Sequence, residues 1–201
     1  MMQPLIIMLF ACLLTVICGW FWQKHNQNAG YVDVIWSFLL GFQACYYLII
    51  QPYYSVFLVL SLGLAIFWSL RLSIHLLLRV SRESEDGRYA ALRTHWAPNT
   101  QRNFLFFYLA QGLLAWGFGF VFYQLAEAIG QRTFDEQGLL PFPFFIVGFL
   151  LGIVAILIES LADKQLSQHR NTQPGVTCRS GLWRYSRHPN YFFEWLHWWS
   201  Y

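Results

Sequence analysis

Residues 31–78 read YVDVIWSFLLGFQACYYLIIQPYYSVFLVLSLGLAIFWSLRLSIHLLL, two apolar runs joined at Gln51-Pro52. Each run supplies the ~20 residues that an α-helix needs to cross ~30 Å of hydrocarbon. So short a break leaves room only for a tight antiparallel hairpin. The interruptions are few and placed at one end. Asp33 stands near the start of the first run, while Arg71, His75 and Arg79 recur every four residues, on one helical face, near the end of the second. Because the runs are antiparallel, these ionisable groups fall on the same side of the membrane.

Working outward, residues 4–22, 104–127 and 139–161 are three further runs of spanning length, and a sixth begins near Asn190. The first lacks a basic leader and a small-residue cleavage site, so it reads as a retained anchor. Composition agrees: 57% hydrophobic and 20% aromatic residues with 11% charged is far from the balance of soluble domains. The expected fold is all-α, a single polytopic domain over residues 1–201 with about six spans, the last incomplete. A net charge of +3 is too small and too localised for nucleic acid. Cys12, Cys18, Cys45 and Cys178 lack paired metal-ligand spacing, and three lie in apolar runs, so they read as packing residues and no metal is expected.

Basic residues set an expected orientation. Lys24 follows the first span; Arg79, Arg82, Arg88, Arg93 and Arg102 follow the third; Lys164, Arg170, Arg179, Arg184 and Arg187 follow the fifth. The opposite side carries Arg132 beside Asp135 and Glu136. By the positive-inside rule the amino terminus is outside and the basic loops are cytoplasmic.

On that side the spans also carry their acids: Asp33, then Glu159 and Asp163 four apart, then Glu194 with His197. Glu127 lies towards the other side and reads as an interfacial charge. Snorkelling, lipid anchoring or internal ion pairing accounts for any one of these groups taken alone. Four helices delivering polar groups to one level are harder to explain that way, and ionisable groups at membrane depth ordinarily mark a functional site. Guanidinium forks suit a phosphate- or carboxylate-bearing cofactor. Trp183, Tyr185 and Tyr191 offer rings for stacking, and no GxGxxG, GxxxxGK[ST] or HExxH competes.

The run SGLWRYSRHPNY over residues 180–191, with Glu194 three residues later, resembles the carboxy-terminal signature of the bacterial DUF1295 proteins. That group resembles the membrane steroid 5-alpha-reductases and sterol C14 reductases, and more distantly the isoprenylcysteine carboxyl methyltransferases. ESLADKQL at residues 159–166 is similar to the family's ExxADxQ segment. Asp33-Val34-Ile35-Trp36 and the stretch from Arg71 to Arg93, including Glu85-Asp86-Gly87-Arg88-Tyr89, resemble its amino-terminal half.

The resemblance implies an NADPH site held by Arg187, His188, Asn190, Tyr191 and Glu194, with Asp163, Glu159 and Arg170 lining it and Trp183 beside the cofactor. Two positions depart from the pattern: Phe193 stands where many relatives have Gly, and Glu159 where the steroid reductases have Asn. Residues 190–201 rise only ~18 Å as a helix, short of a crossing, where relatives continue. A fragment or truncated gene product is the expectation.

Three functions remain open at this stage. A reductase of an activated C=C bond in a lipid or steroid-like substrate needs NADPH and a proton donor, for which Tyr191, His75 and Tyr31 are candidates. A membrane methyltransferase needs S-adenosylmethionine held in line with a nucleophile. A non-catalytic lipid-binding protein, or an inactive fragment, has no obvious need of Asp33, Glu159, Asp163 and Glu194. Arginine density favours the first. Oligomeric state leaves no trace in the sequence.

Overall fold

The computed structural model describes residues 2–52, 55–130 and 142–201. Among them the chain is all-α: α1 (Gln3–Asn26), α2 (Tyr31–Ile49), α3 (Val56–Arg82), α4 (Gly87–His95), α5 (Thr100–Gly130), α6 (Phe142–Thr172) and α7 (Pro189–Trp198), with a 3-10 turn at Gly181–Arg184. Five helices, α1, α2, α3, α5 and α6, are long and apolar enough to cross a membrane. The protein is a polytopic helical membrane protein. The expected span starts at Tyr53 and Leu139, and the charges Arg132, Asp135 and Glu136, lie outside the described residues.

Two compact units divide the chain, Met1–Thr133 and Phe134–Tyr201. In the first, α2 packs most extensively on α3, and α1, α2 and α3 each pack on α5. The hairpin expected at Gln51-Pro52 is present. Its polar ties pair Ser37 with Ser73, hydroxyl to hydroxyl at 2.9 Å, and Gly41 with Ser69, whose hydroxyl accepts from the Gly41 N–H at 3.0 Å. Those pairings step down one helix as they step up the other, the register of an antiparallel pair. Gly41 is required at the crossing, since a Cβ there would collide with the Ser69 hydroxyl.

Local chemistry sets the ends. The Ser55 hydroxyl accepts from the Leu58 N–H at 3.1 Å and starts α3. α3 then runs past the expected Leu78 to Arg82, because its basic last turn lies beyond hydrocarbon and suits the helix C-terminus.

Hydropathy did not reveal α4, whose composition is polar. Asp86 caps it by accepting from the Arg88 N–H at 3.0 Å, and Tyr89 anchors it in the core formed with Cys12, Val16, Val32, Leu39, Phe104 and Tyr108.

In the second unit α6 carries both the 3-10 turn and α7. Pro189, with its fixed φ and missing N–H, begins α7. The sixth run is thus a helix of ten residues.

Candidate functional site

Each unit gathers its own polar cluster. In the amino-terminal unit it is built around α4. The Glu85 carboxylate takes Arg93 as a fork, at 2.7 Å from Nη2 and 2.9 Å from Nε, and also accepts from the Ala29 N–H at 2.7 Å. Arg93 extends to Gln27 at 3.1 Å and Gln23 at 3.4 Å, with its guanidinium 4.9 Å from the centre of the Phe104 ring. The start of α4 is thereby tied to the α1–α2 junction. A paired guanidinium shared between two glutamines and an aromatic face is a structural clamp, and the Glu85 hydrogen bonds hold Arg93 still more firmly in its charged form.

Beside it, Asp33 accepts from the Tyr89 hydroxyl at 2.7 Å and faces Arg88 at 3.5 Å. Burial, reinforced by the Asp33 charge, pushes the Tyr89 phenol up, so it remains a donor at any ordinary pH. Asp86 meets Arg88 at 3.1 Å and Arg79 at 3.8 Å. Burial opposes the Asp86 charge, but the hydrogen bonds and charge of Arg88 outweigh it and hold the carboxyl below its ordinary value. Asp86 therefore stabilises the fold fully above its unfolded pKa of about 3.9, and that contribution disappears as pH falls through the lower folded value. The melting temperature should drop between pH 5 and pH 3, and Asp86→Asn, which keeps a capping side chain, should flatten that slope; parallel slopes would assign the acid sensitivity elsewhere.

Arg71 and His75, the residues singled out on α3, are half-buried one turn apart. Tyr31 opens α2, also half-buried.

In the carboxy-terminal unit the motif is stitched onto α6 by side-chain contacts at neighbouring positions. Asp163, buried, accepts from the Asn190 amide at 3.1 Å. The Ala162 carbonyl accepts from the Trp183 indole at 2.9 Å. Gln165 Oε1 accepts from the Leu182 N–H at 2.9 Å. Gly181 makes that last approach possible: its φ is +58°, and a Cβ there would meet the Gln165 side chain. Glu159, one turn before Asp163, is buried at 1% exposure.

Of the residues the resemblance implied, Asp163 and Asn190 thus bond each other at the α6–α7 junction and Trp183 bonds the adjacent Ala162, with Glu159 on the same helix as Asp163. Arg170, Arg187, His188 and Tyr191 are exposed, the last two with rings stacked at 5.2 Å and 19°. Glu194 is half-buried one turn after Asn190. Phe193, in the position many relatives give to Gly, is half-buried. Sequence reading passed over two contacts. The Gln165 tie depends on a glutamine whose type signals nothing by itself. His197, fully buried, meets the Tyr201 hydroxyl through Nε2 at 2.8 Å, a pairing whose only trace was the four-residue spacing.

One acceptor stands out. The Asn190 amide nitrogen is spent on Asp163, while its Oδ1 is buried and takes no hydrogen bond among the described residues. Such an atom is costly unless something supplies a donor.

No curated protein and no solved structure matches this sequence. A family model described as "Protein of unknown function (DUF1295)" matches residues 19–201, nearly the whole chain and both polar clusters. The chain belongs to the DUF1295 family.

Proposed function

We propose that the protein is a membrane-embedded reductase of an activated carbon–carbon double bond in a lipid or steroid-like substrate, using NADPH at the α6–α7 junction. The observation that carries this reading is Asn190: clamped to Asp163 by its nitrogen, it presents a buried, unused oxygen in a motif whose exposed groups include Arg187, His188 and Tyr191. This donor and acceptor set fits a nucleotide. Exposed guanidiniums at Arg187 and Arg170 take phosphate oxygens, the Asn190 oxygen accepts an N–H or O–H, and the stacked His188–Tyr191 pair offers a flat face. NADPH supplies hydride to one carbon of the double bond when bound. Tyr191, exposed in the motif, is the group we assign to donate a proton to the other. Asp163 positions Asn190 and contacts no substrate. The basic loops face the cytoplasm, where the nucleotide is found, and the substrate enters from the bilayer of the inner membrane.

Thermal unfolding of detergent-purified protein tests the assignment. NADPH should raise the midpoint and S-adenosylmethionine should not, because a ligand that binds only the folded form stabilises it by mass action, about 2.7 kcal/mol at a hundredfold excess over Kd. Arg187→Ala should weaken the NADPH response at least about tenfold, the value of one charge-assisted hydrogen bond. A shift with S-adenosylmethionine alone would instead make the protein a methyltransferase, and unchanged NADPH affinity in the variant would remove Arg187 from the site.

A further inference from the structure

α6 has 31 residues, a length of ~46 Å at 1.5 Å per residue against ~30 Å of hydrocarbon. Its Thr172 end and the connector that follows therefore lie at the level of the lipid headgroups. The chain here is one-signed. Residues 164–193 include Lys164, Arg170, Arg179, Arg184 and Arg187 and neither Asp nor Glu. Arg179 and Arg184 are exposed, and among the described residues neither is in an ion pair. Tyr185, next to Arg184, is 84% exposed.

α7 then leads away from this basic connector with an aromatic face turned outward. Phe192, Trp195 and Trp199 follow one another at three- and four-residue spacing, all exposed, with ring centroids 5.8 Å and 5.6 Å apart. Tryptophans below a cationic layer are the arrangement of a membrane interface: the indoles sit under the headgroups, the guanidiniums among the phosphates.

We propose that the connector after α6 and the outer face of α7 form a seat for anionic phospholipid headgroups, with Arg179 and Arg184 as its cations and Trp195 and Trp199 as its apolar floor. A zwitterionic headgroup carries its own compensating ammonium; an anionic one leaves the guanidiniums as the phosphate's partners. Charge complementarity therefore selects the anionic lipid. The seat uses neither Arg170 nor Arg187, so it stands apart from the nucleotide assignment.

The test is lipid selectivity of the whole chain, reconstituted in phosphatidylcholine vesicles with traces of spin-labelled phosphatidylglycerol or phosphatidylcholine. Their relative association with the protein is read from the motionally restricted component at low ionic strength. Phosphatidylglycerol should be preferred severalfold, at roughly fivefold per cation as an upper bound. Arg179→Gln with Arg184→Gln should bring the ratio close to one, and Arg179→Lys with Arg184→Lys should keep it. Inorganic phosphate should lower the preference no further than a chloride salt at matched ionic strength does. Equal association of the two lipids with the parent protein would overturn the proposal, as would an undiminished preference in the glutamine variant. Erasure of the preference by inorganic phosphate but not by the matched chloride would overturn it too, by assigning the seat to a soluble anion.

Discussion

Glu85→Ala should destabilise the protein by about 3 kcal/mol, the lower end of what breaking a buried ion pair costs. Glu85 and Arg93 are 13% and 22% exposed in their side chains, so water reaches the pair only at its edge. Removing the carboxylate strands two partners. Arg93 loses both arms of its fork and is left with the weaker Gln27 and Gln23 contacts, and the Ala29 N–H at the α1–α2 junction loses its acceptor. Asp86→Ala, one residue away, removes a cap and more exposed pairings and should cost only about 1 kcal/mol. Unfolding of the two variants in a denaturing mixed micelle measures the contrast. Equal losses would mean that α4 is held by its cap and by Tyr89, with the clamp contributing little.

Gly181→Val should loosen the carboxy-terminal motif more than any exposed substitution in it. A β-branched residue at φ +58° costs about 1–2 kcal/mol from the backbone alone, and the collision with Gln165 adds about 1–3 kcal/mol of overpacking. The Leu182 N–H then loses Gln165, and the Trp183 indole moves off the Ala162 carbonyl. Trp183 should become accessible to an aqueous quencher, and NADPH stabilisation should fall with it, since the same turn leads into Arg187 and Asn190. Arg184→Ala, exposed and without a tie to α6, serves as the control and should change neither Trp183 accessibility nor the NADPH response. Unaltered Trp183 accessibility in Gly181→Val would show that Asn190–Asp163 is sufficient to seat the motif.

Much of the architecture was legible because a bilayer imposes a simple demand: any segment inside it must be apolar for ~20 residues and must satisfy its own backbone. The ranges of α1, α2, α3, α5 and α6 follow from that demand, and the structure mainly lengthens them into the interfaces, where polar last turns are soluble. α4 escaped the same reading for a physical reason. It is short and mostly polar, and it exists because Tyr89 enters a core made by α1, α2 and α5 and because Glu85 and Asp86 find their partners in the folded chain.

In the motif, the family resemblance pointed to Asp163, Trp183 and Asn190 together, and the structure ties Asn190 to Asp163 and Trp183 to the adjacent Ala162. Spacing could not show that Arg187 and Tyr191 face outward while Glu159 is buried, nor that Gln165 and Gly181 shape the turn.

Hydropathy and the placement of charge were enough to establish a helical membrane protein with polar groups drawn to the ends of its spans, because transfer from water to hydrocarbon acts on each residue separately. Which acid meets which donor was decided only by folding: Glu85 with Arg93, Asp33 with Tyr89, Asp163 with Asn190. Hydrogen bonds need partners within about 3 Å, and residues as far apart in the chain as 33 and 89 reach that distance only after helices have packed.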